Sequence, residues 1–525
     1  LYMYNLYHIV KAFFPNEEIS QNLDEKQESL VSVKLEEDSC FYVPVSEIAD
    51  CPDRQDGKKK VTKIVYDWLS KVTGRILAWG MLTGVRPTKL AMQKLEAGMS
   101  RKEVCTFLEQ EYGVSNQKAE LGIAIAEREK ELLGRLDYEQ GFSLYVGIPF
   151  CPSICSYCSF SSSPLAEWKD RVDDYLKALC QEIRALGERA EERKLNTIYI
   201  GGGTPTTLEA EQLFELLDTI QKSFSFEYLQ EFTIEAGRPD SITREKLEVM
   251  RRFPVTRISV NPQTMQQKTL DLVGRKHTVQ DVKDIFHAAR ELGFDNINMD
   301  LIAGLPYEDI KSFRKSFDDV YSMRPDQLQL GFLKVLKGSY MMEMTGEYQI
   351  LYKDREPYEV LSTAWLTYGE ILRLKMVESM VEVYYNSGQF WHTLEYLVPL
   401  EKDAFTFYEK LGSFYEKKGY SEISHSRMRR YEILLEYLKE ETDVPAEVAA
   451  QKMLYDLYLR EKLKKRPAFA PDQKQYETAV WNYRKNNQVS KTAHIEVFEN
   501  GTVILFDYEK RDPLSKNAYT EVVQL

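Results

Sequence analysis

The sequence predicts an α/β protein centred on a partial, open (β/α)6 barrel. An N-terminal α+β and helical region precedes it, and a mostly helical C-terminal domain follows. Three observations carry this reading. Between about residues 142 and 332, short apolar runs alternate with amphipathic helical patterns. Such strand–helix alternation builds parallel sheets through right-handed crossovers. There are six strand runs, too few for a closed eightfold barrel. On either side of this stretch the apolar residues recur at i, i+3 and i+4, the period of a helix face.

The elements follow in order. Residues 1 to about 50 alternate β-branched and aromatic residues, as in SVKLEE and CFYVPV, and read as a small α+β unit. Asp53 to Lys60 is a run of charge and reads as a solvated linker. From 61 to about 137, VTKIVYDWLSKVTG and RKEVCTFLEQEYG read as helices. Between them Gly84, Arg86 and Pro87 punctuate a turn. The turn reads as a helix–helix connection, with Arg86 as a carboxylate fork the sharper alternative. The strand runs are SLYVGI, NTIYIGGG, EFTIEA, TRISVN, NINMDLIAG and QLQLGF, and the helices between them are expected over 166–188, 208–223, 242–253, 266–292 and 308–322. From about 357 the chain is helical again. It ends on AHIEVFENGTVILFDY, a β-hairpin turning at Asn500-Gly501. The expected domains are 1–137, 138–338 and 339–525.

Composition narrows the function. The chain has 525 residues, 43% hydrophobic and 29% charged, a globular balance spread over about three domains. Its net charge of −13 argues against nonspecific nucleic-acid binding. No apolar run reaches membrane-helix length. The first residues, LYMYNLYHIVKAFF, are too polar for a secretory signal. Cys40, Cys51, Cys105 and Cys180 are scattered, and read as thiols in a reducing cytoplasm.

Cys151, Cys155 and Cys158 are different. They fall within eight residues in the run YVGIPFCPSICSYCSF, directly after the first barrel strand. Thiolates spaced C-x3-C-x2-C can converge on one iron–sulfur centre. A [4Fe–4S] cluster takes four such ligands, so three leave one iron open. Two alternatives stand beside this. One is structural zinc with Cys180 or a distant His, although such sites usually show paired knuckles and no second pair exists here. The other is a disulfide, which a reducing compartment disfavours.

More chemistry-bearing residues fall at the other strand ends, the face that carries function in such barrels. Gly201-Gly202-Gly203-Thr204-Pro205 ends the second strand, where glycines let a backbone approach a ligand, or simply make a tight turn. Glu235, Gln263 and Asp300 end the next three, and Arg275 follows the fourth. Together they offer acceptors and a cation, the set an amino acid bearing a ribose diol would need.

The cysteine run resembles the signature of the radical S-adenosylmethionine (SAM) superfamily. With WGMLTGVRPTKLA, FTIEAGRPDSI and RISVNPQTM, residues 1 to about 305 resemble the oxygen-independent coproporphyrinogen III oxidase group, in its coproporphyrinogen dehydrogenase branch of the HemZ type. The resemblance implies a radical SAM barrel with a [4Fe–4S] cluster on Cys151, Cys155 and Cys158. It implies a SAM pocket of Tyr145, Phe160, Gly202, Gly203, Thr204, Glu235, Gln263, Arg275 and Asp300. It also implies one-electron cleavage of SAM, hydrogen abstraction from a tetrapyrrole, an electron donor such as flavodoxin or ferredoxin, and a cytoplasmic location. From about Leu305, LPYEDIKSF, RPDQLQLGFLKVLKGS and HIEVFENGTVILFDYEKRDPL resemble a second group, radical SAM proteins that usually carry a cobalamin domain. No Asp-x-His-x-x-Gly cobalamin signature occurs, so cobalamin is not expected. The chain reads as a mosaic, with Arg86 and Arg238 as candidate substrate contacts.

Overall fold

The computed structural model describes residues 3–14, 17–22, 29–35, 40–83, 86–133, 137, 140–190, 192–354, 357–421, 423, 425–463, 465–512 and 517–525. The chain divides into two compact units, Leu1–Gly141 and Phe142–Leu525.

In the first unit, α1 (Met3–Phe13) and an antiparallel hairpin, β1 (Ser29–Lys34) with β2 (Cys40–Pro44), pack with α2 (Arg54–Thr73) round Leu6, Ile9, Val61, Val65 and Leu69. Helices α3 (Thr88–Glu96), α4 (Arg101–Tyr112) and α5 (Asn116–Leu133) share a second core. The expected linker over Asp53 to Lys60 is corrected here. Asp53 caps α2, accepting from the backbone N–H groups of Gln55 and Asp56, so the charged run forms the first turns of a helix. Gly84 lies outside the described residues. Arg86 is exposed and lies 3.9 Å from Glu129.

The second unit begins with β3 (Gly141–Ile148), a short parallel pair, β4 (Phe150–Cys151) with β5 (Ser163–Pro164), and helices α6 (Leu165–Trp168) and α7 (Val172–Arg189). Then follow β6 (Lys194–Gly202), α8 (Ala210–Ser223), β7 (Glu231–Ile234), α9 (Arg244–Arg251), β8 (Arg257–Ser259), α10 (Gln267–Leu272), α11 (Val279–Glu291), β9 (Ile297–Ala303), α12 (Ile310–Ser322) and β10 (Gln327–Phe332). The six long strands form one parallel sheet in the order β10-β9-β8-β7-β6-β3. Sequential strands are neighbours, as in an open barrel.

The two faces of this sheet differ. Side chains alternate across a strand. One set, including Val146, Ile148, Ile198, Ile200, Phe232, Ile234, Ile258, Met299 and Leu301, is buried in a core with the helices. The other set is Tyr145, Gly147, Thr197, Tyr199, Gly201, Thr233, Glu235, Ser259, Asn261, Asn298 and Asp300. Parallel sheets are normally apolar on both faces. A polar second face marks a lined interior.

After β10 the chain crosses the strands' C-terminal side. It forms α13 (Tyr340–Glu343) and a two-stranded ladder, β11 (Leu351–Tyr352) with β12 (Val360–Ser362). Helices α14 (Tyr368–Met380), α15 (Trp391–Leu397), α16 (Ala404–Lys417), α17 (Arg427–Glu441), α18 (Ala446–Arg460) and α19 (Glu477–Asn486) follow. These helices do not form a separate body. Their buried Leu, Phe and Tyr residues through α18 continue the core of the sheet. Arg314 on α12 makes a two-pronged ion pair with Asp403, and Asp318 accepts from the Phe405 N–H at 2.9 Å. A π-helical turn over Val381–Asn386 reaches the edge strand. There the Asn386 amide accepts from Leu328 N–H at 3.0 Å and donates to Leu328 C=O at 2.9 Å. That pairing blunts an open sheet edge.

The chain ends on β13 (His494–Val497), β14 (Val503–Arg511) and β15 (Ala518–Val523), an antiparallel meander. The expected hairpin at Asn500-Gly501 is there, and Gly501 takes the positive φ of +81° the turn requires. The third strand is an addition to the expectation. It pairs along the outer edge of β14, and AYTEVV carries too few apolar alternates to announce itself.

Candidate active site

The cysteine loop follows β3 at the C-terminal end of the sheet and is held from four sides. Beneath it, the loop after β6 donates from Gly203 N–H to Ile148 C=O and from Thr204 N–H to Phe150 C=O, both at 2.7 Å. The Thr204 hydroxyl lies 3.4 Å from Cys151 Sγ. Beside it, Ser156 N–H donates to Val273 C=O at 3.1 Å and the Ser153 hydroxyl to Gly274 C=O. From the post-barrel segment, Met341 N–H donates to Ser156 C=O at 2.7 Å. From the loop after β7 comes Arg238.

Arg238 is 4% exposed. Its guanidinium forks onto Asp240 at 2.9 and 2.6 Å, and donates to Ser153 C=O at 2.9 Å, the Ser153 hydroxyl at 3.0 Å and Cys155 Sγ at 3.3 Å. Burial would raise the Asp240 carboxyl, yet His277 and Arg238 hold it well below the usual carboxylate range. Arg238 is therefore corrected from a substrate contact to a clamp on the cysteine loop. Arg275 is also buried. It donates to Gly237 C=O at 2.9 Å, Asn261 C=O at 2.6 Å and the Tyr157 hydroxyl at 3.1 Å, and stands 3.9 Å from Cys155 Sγ. Two cations thus face one thiol.

The three thiols sit on one loop, close enough that Cys155 and Cys151 act on Cys158. Burial raises the Cys158 thiol, the Phe160 backbone opposes this, and neighbouring Cys155 and Cys151 raise it further. All seven cysteines are free. Cys180 is buried in α7, in the core behind the sheet. Among the described residues no three His, Cys, Asp or Glu side chains converge on a single ion. The loop is therefore not shaped as a closed mononuclear zinc site.

The glycine run has a packing role of its own. Gly202 has φ +107°, and a Cβ there would lie 2.8 Å from Ile148 O. At Gly203 it would lie 2.6 Å from Phe150 O and 3.0 Å from Cys151 Sγ. These glycines let the β6 loop press against the cysteine loop.

The polar face begins below. Tyr145, 62% exposed, stacks on Tyr199 with centroids 5.9 Å apart, and the Tyr199 hydroxyl donates to Glu235. Burial raises the Glu235 carboxyl. Asp300 accepts from Asn261 at 2.8 Å and Asn298 at 2.6 Å, and burial pushes its carboxyl up to about 6. Gln263 holds φ +68° and bridges to β9, its N–H donating to Asp300 C=O at 2.9 Å. Phe160 is 73% exposed. Within the same region Ser259 Oγ, Asn261 Oδ1, Asn298 Oδ1 and Arg275 Nε are buried without a hydrogen-bond partner among the described residues. Sequence reasoning missed Tyr157, Ser153, Tyr199, Asn261 and Asn298. The last three were visible as period-two partners of Gly201, Ser259 and Asp300.

Comparison with known proteins agrees with this geometry. Residues 145–320 match the radical SAM superfamily, and residues 346–511 match a protein family of unknown function, DUF4080. The chain is 38% identical over 297 residues to the oxygen-independent coproporphyrinogen-III oxidase-like protein HemZ of Bacillus subtilis, covering 56% of this chain and 59% of that protein. It is 40% identical over 182 residues to the heme chaperone HemW of the same organism, covering 34% of this chain and 47% of that protein. The structure of the radical SAM coproporphyrinogen III oxidase HemN from Escherichia coli aligns with a TM-score of 0.39 at 26% identity, over 48% of this chain and 55% of that one. The chain thus spans roughly half the length of the relatives it matches.

Members of the radical SAM superfamily bind a [4Fe–4S] cluster and SAM. The residues present fit both groups. Three free thiols stand on one loop with two guanidinium groups at Cys155, and unpartnered buried acceptors and a donor lie on the polar face of the sheet. Residues 145–320 thus form a radical SAM domain, similar in sequence to oxygen-independent coproporphyrinogen III oxidase, HemZ and HemW, and residues 346–511 match DUF4080.

Proposed function

We propose that the protein is a radical SAM enzyme acting on a tetrapyrrole, and that its reaction is the oxygen-independent oxidative decarboxylation of coproporphyrinogen III to protoporphyrinogen IX. The observation that carries the radical chemistry is the clamped cysteine loop over a polar sheet face with unpartnered buried groups. The substrate rests on the likeness to the HemZ protein, which extends over 297 residues of this chain.

Cys151, Cys155 and Cys158 would hold the cluster, and its fourth position would be left for SAM. With these groups bound, the site supplies abstraction of a hydrogen atom from carbon. Each of two propionates would then lose that hydrogen atom, carbon dioxide and one further electron, the last taken up by an external one-electron acceptor, to become a vinyl group. The chain's own part is placement. Arg238 and Arg275 fix the loop and offset thiolate charge at Cys155. Glu235 and Asp300 offer acceptors to the hydroxyls and ammonium of SAM. Tyr145 and Phe160 offer ring faces to its adenine. The segment carrying α13, docked on Ser156, stands where it can exclude water from a carbon radical. An electron donor such as flavodoxin or ferredoxin and a cytoplasmic setting belong to this proposal.

A second reading, tetrapyrrole handling without oxidation, is favoured by the likeness to the heme chaperone HemW. Anaerobic reconstitution with iron, sulfide, SAM and coproporphyrinogen separates the two. Protoporphyrinogen formation with SAM cleavage supports the first. SAM cleavage without decarboxylation overturns it.

A further inference from the structure

Away from the cysteine loop, the helical region holds a histidine set up as a ligand. His392 and Thr393 open α15, and Asp456 comes from α18. The Asp456 carboxylate is 3% exposed and accepts four hydrogen bonds. They come from His392 N–H at 3.1 Å, His392 Nδ1 at 2.7 Å, Thr393 N–H at 2.9 Å and the Thr393 hydroxyl at 2.7 Å. With Nδ1 donating to a carboxylate, the ring's proton is fixed there and Nε2 carries the lone pair. The ring stands edge-on to Tyr455, with centroids 4.5 Å apart. A carboxylate behind one ring nitrogen and an open second nitrogen is the posture of a metal-ligating histidine.

The imidazole lines a cavity of about 450 Å3, inside the range of small-molecule sites. Tyr455, Phe498 and Ile504 supply apolar wall, while Lys452 and Glu499 stand at its polar side. Among the described residues no three His, Cys, Asp or Glu side chains come together here or elsewhere to hold a bare ion. One imidazole can, however, hold a metal that brings its own equatorial ligands. Porphyrin iron is such a metal and needs one axial histidine. Its apolar macrocycle suits the aromatic wall, and its propionates suit Lys452.

We infer that the helical region carries a second tetrapyrrole site, in which His392 Nε2 is the axial ligand of an iron porphyrin, separate from the cysteine loop. The choice of porphyrin among ligands that carry a metal rests on the tetrapyrrole chemistry proposed above; the site itself rests on the dyad and the cavity.

The test is titration of the full chain with ferric haemin, followed by absorbance. The expected result is saturable binding at one haemin per chain, with the spectrum of an imidazole-ligated iron. His392→Ala should lose that spectrum and weaken binding at least tenfold, and added free imidazole should restore the spectrum. Asp456→Asn should keep the spectrum with binding weakened about tenfold or more, because the ring loses its anchor. His425→Ala should behave as the parent. Circular dichroism of each variant keeps a folding defect apart from a ligand defect. A folded His392→Ala protein that binds haemin with the parent's spectrum and affinity overturns the inference, as does Co2+ alone binding through His392. SAM cleavage by His392→Ala should equal the parent's. Haemin bound through His392 by a protein that leaves coproporphyrinogen unchanged would defeat the proposed reaction and leave this site standing; conversion of coproporphyrinogen without haemin binding would do the reverse.

Discussion

The polar face of the barrel and the C-terminal region differ in how they hold buried polar groups, although Gln389 Oε1 and Tyr437 Oη of the latter are also unpartnered among the described residues. In the helical region Asp456 takes four donors, and Glu496 is held by Arg466 and His494. Inside the barrel, Ser259, Asn261, Asn298 and Arg275 each leave a buried polar atom unpartnered among the described residues. An unpaired buried polar atom costs about 1–3 kcal/mol. A fold keeps several in one place only where something else pairs with them. The orphaned groups gathered on the barrel face mark where a ligand belongs, while Asp456 is tied down so that it fixes the ring of His392.

The largest way to break this contrast is at Arg238, a fully satisfied group inside the unsatisfied region. Arg238→Ala leaves the Asp240 carboxylate buried without its fork and frees Ser153. Breaking a buried ion pair costs about 3–5 kcal/mol. The variant should unfold at markedly lower denaturant and retain little iron after reconstitution. Arg238→Lys should recover part of the stability but not the full iron content, because it cannot reach Asp240, Ser153 and Cys155 together.

Asp300 sharpens the contrast by pH. Its folded carboxyl titrates at about 6 against 3.8 in an ordinary setting, because burial disfavours the charge. Between those values the folded state binds more protons than the unfolded state, so stability falls as pH rises through that window. The shift corresponds to about 2–3 kcal/mol. Comparing denaturant midpoints from pH 4 to pH 7, the parent should lose more stability than Asp300→Asn. Parallel curves would mean that Asp300 is not the buried acid described here.

Gly203→Ala comes next. The added methyl group must move Phe150 or Cys151, an overpacking that costs about 1–3 kcal/mol. Because the strain falls on the cysteine loop, iron content should drop along with SAM binding. Loss of SAM binding with full iron content would instead make the glycine run a ligand cradle. The smallest effect is expected at Asn386→Ala, which unpairs both backbone groups of Leu328 at the sheet edge for about 1–2 kcal/mol. Reconstituted iron content should not change.

The six strands and most helices between them were legible because apolar runs of strand length alternate with helical periods, and each run falls on an observed strand; the helix expected over 266–292 is instead two, α10 and α11, broken where Gly274 takes a positive φ. The three cysteines stood out by their spacing, and the structure holds them on one loop that follows β3. Three other things were not legible. Asp53 to Lys60 read as a linker because charge dominates it, yet Asp53 is a helix cap and the charges ride the first turns. Arg238 read as a substrate contact because a strand-end arginine looks available, and only tertiary packing shows it buried against Asp240 and Cys155. The helical C-terminal part, 339–525, read as a domain of its own. Its core is in fact continuous with the sheet's, and Met341 and Asn386 bond directly to the cysteine loop and the edge strand. Long-range pairings such as these leave no trace in local periodicity.

The central claim is that Cys151, Cys155 and Cys158 form a cluster site that opens onto a SAM-binding polar face. Electron paramagnetic resonance of the anaerobically reconstituted, reduced protein tests it most directly, read alongside iron and sulfide analysis. The account predicts about four iron and four sulfide per chain, a reduced-cluster signal that shifts when SAM is added, and loss of both in the triple Cys→Ala variant. A triple variant that retains the parent's iron content and signal, or a parent signal indifferent to saturating SAM, would contradict it.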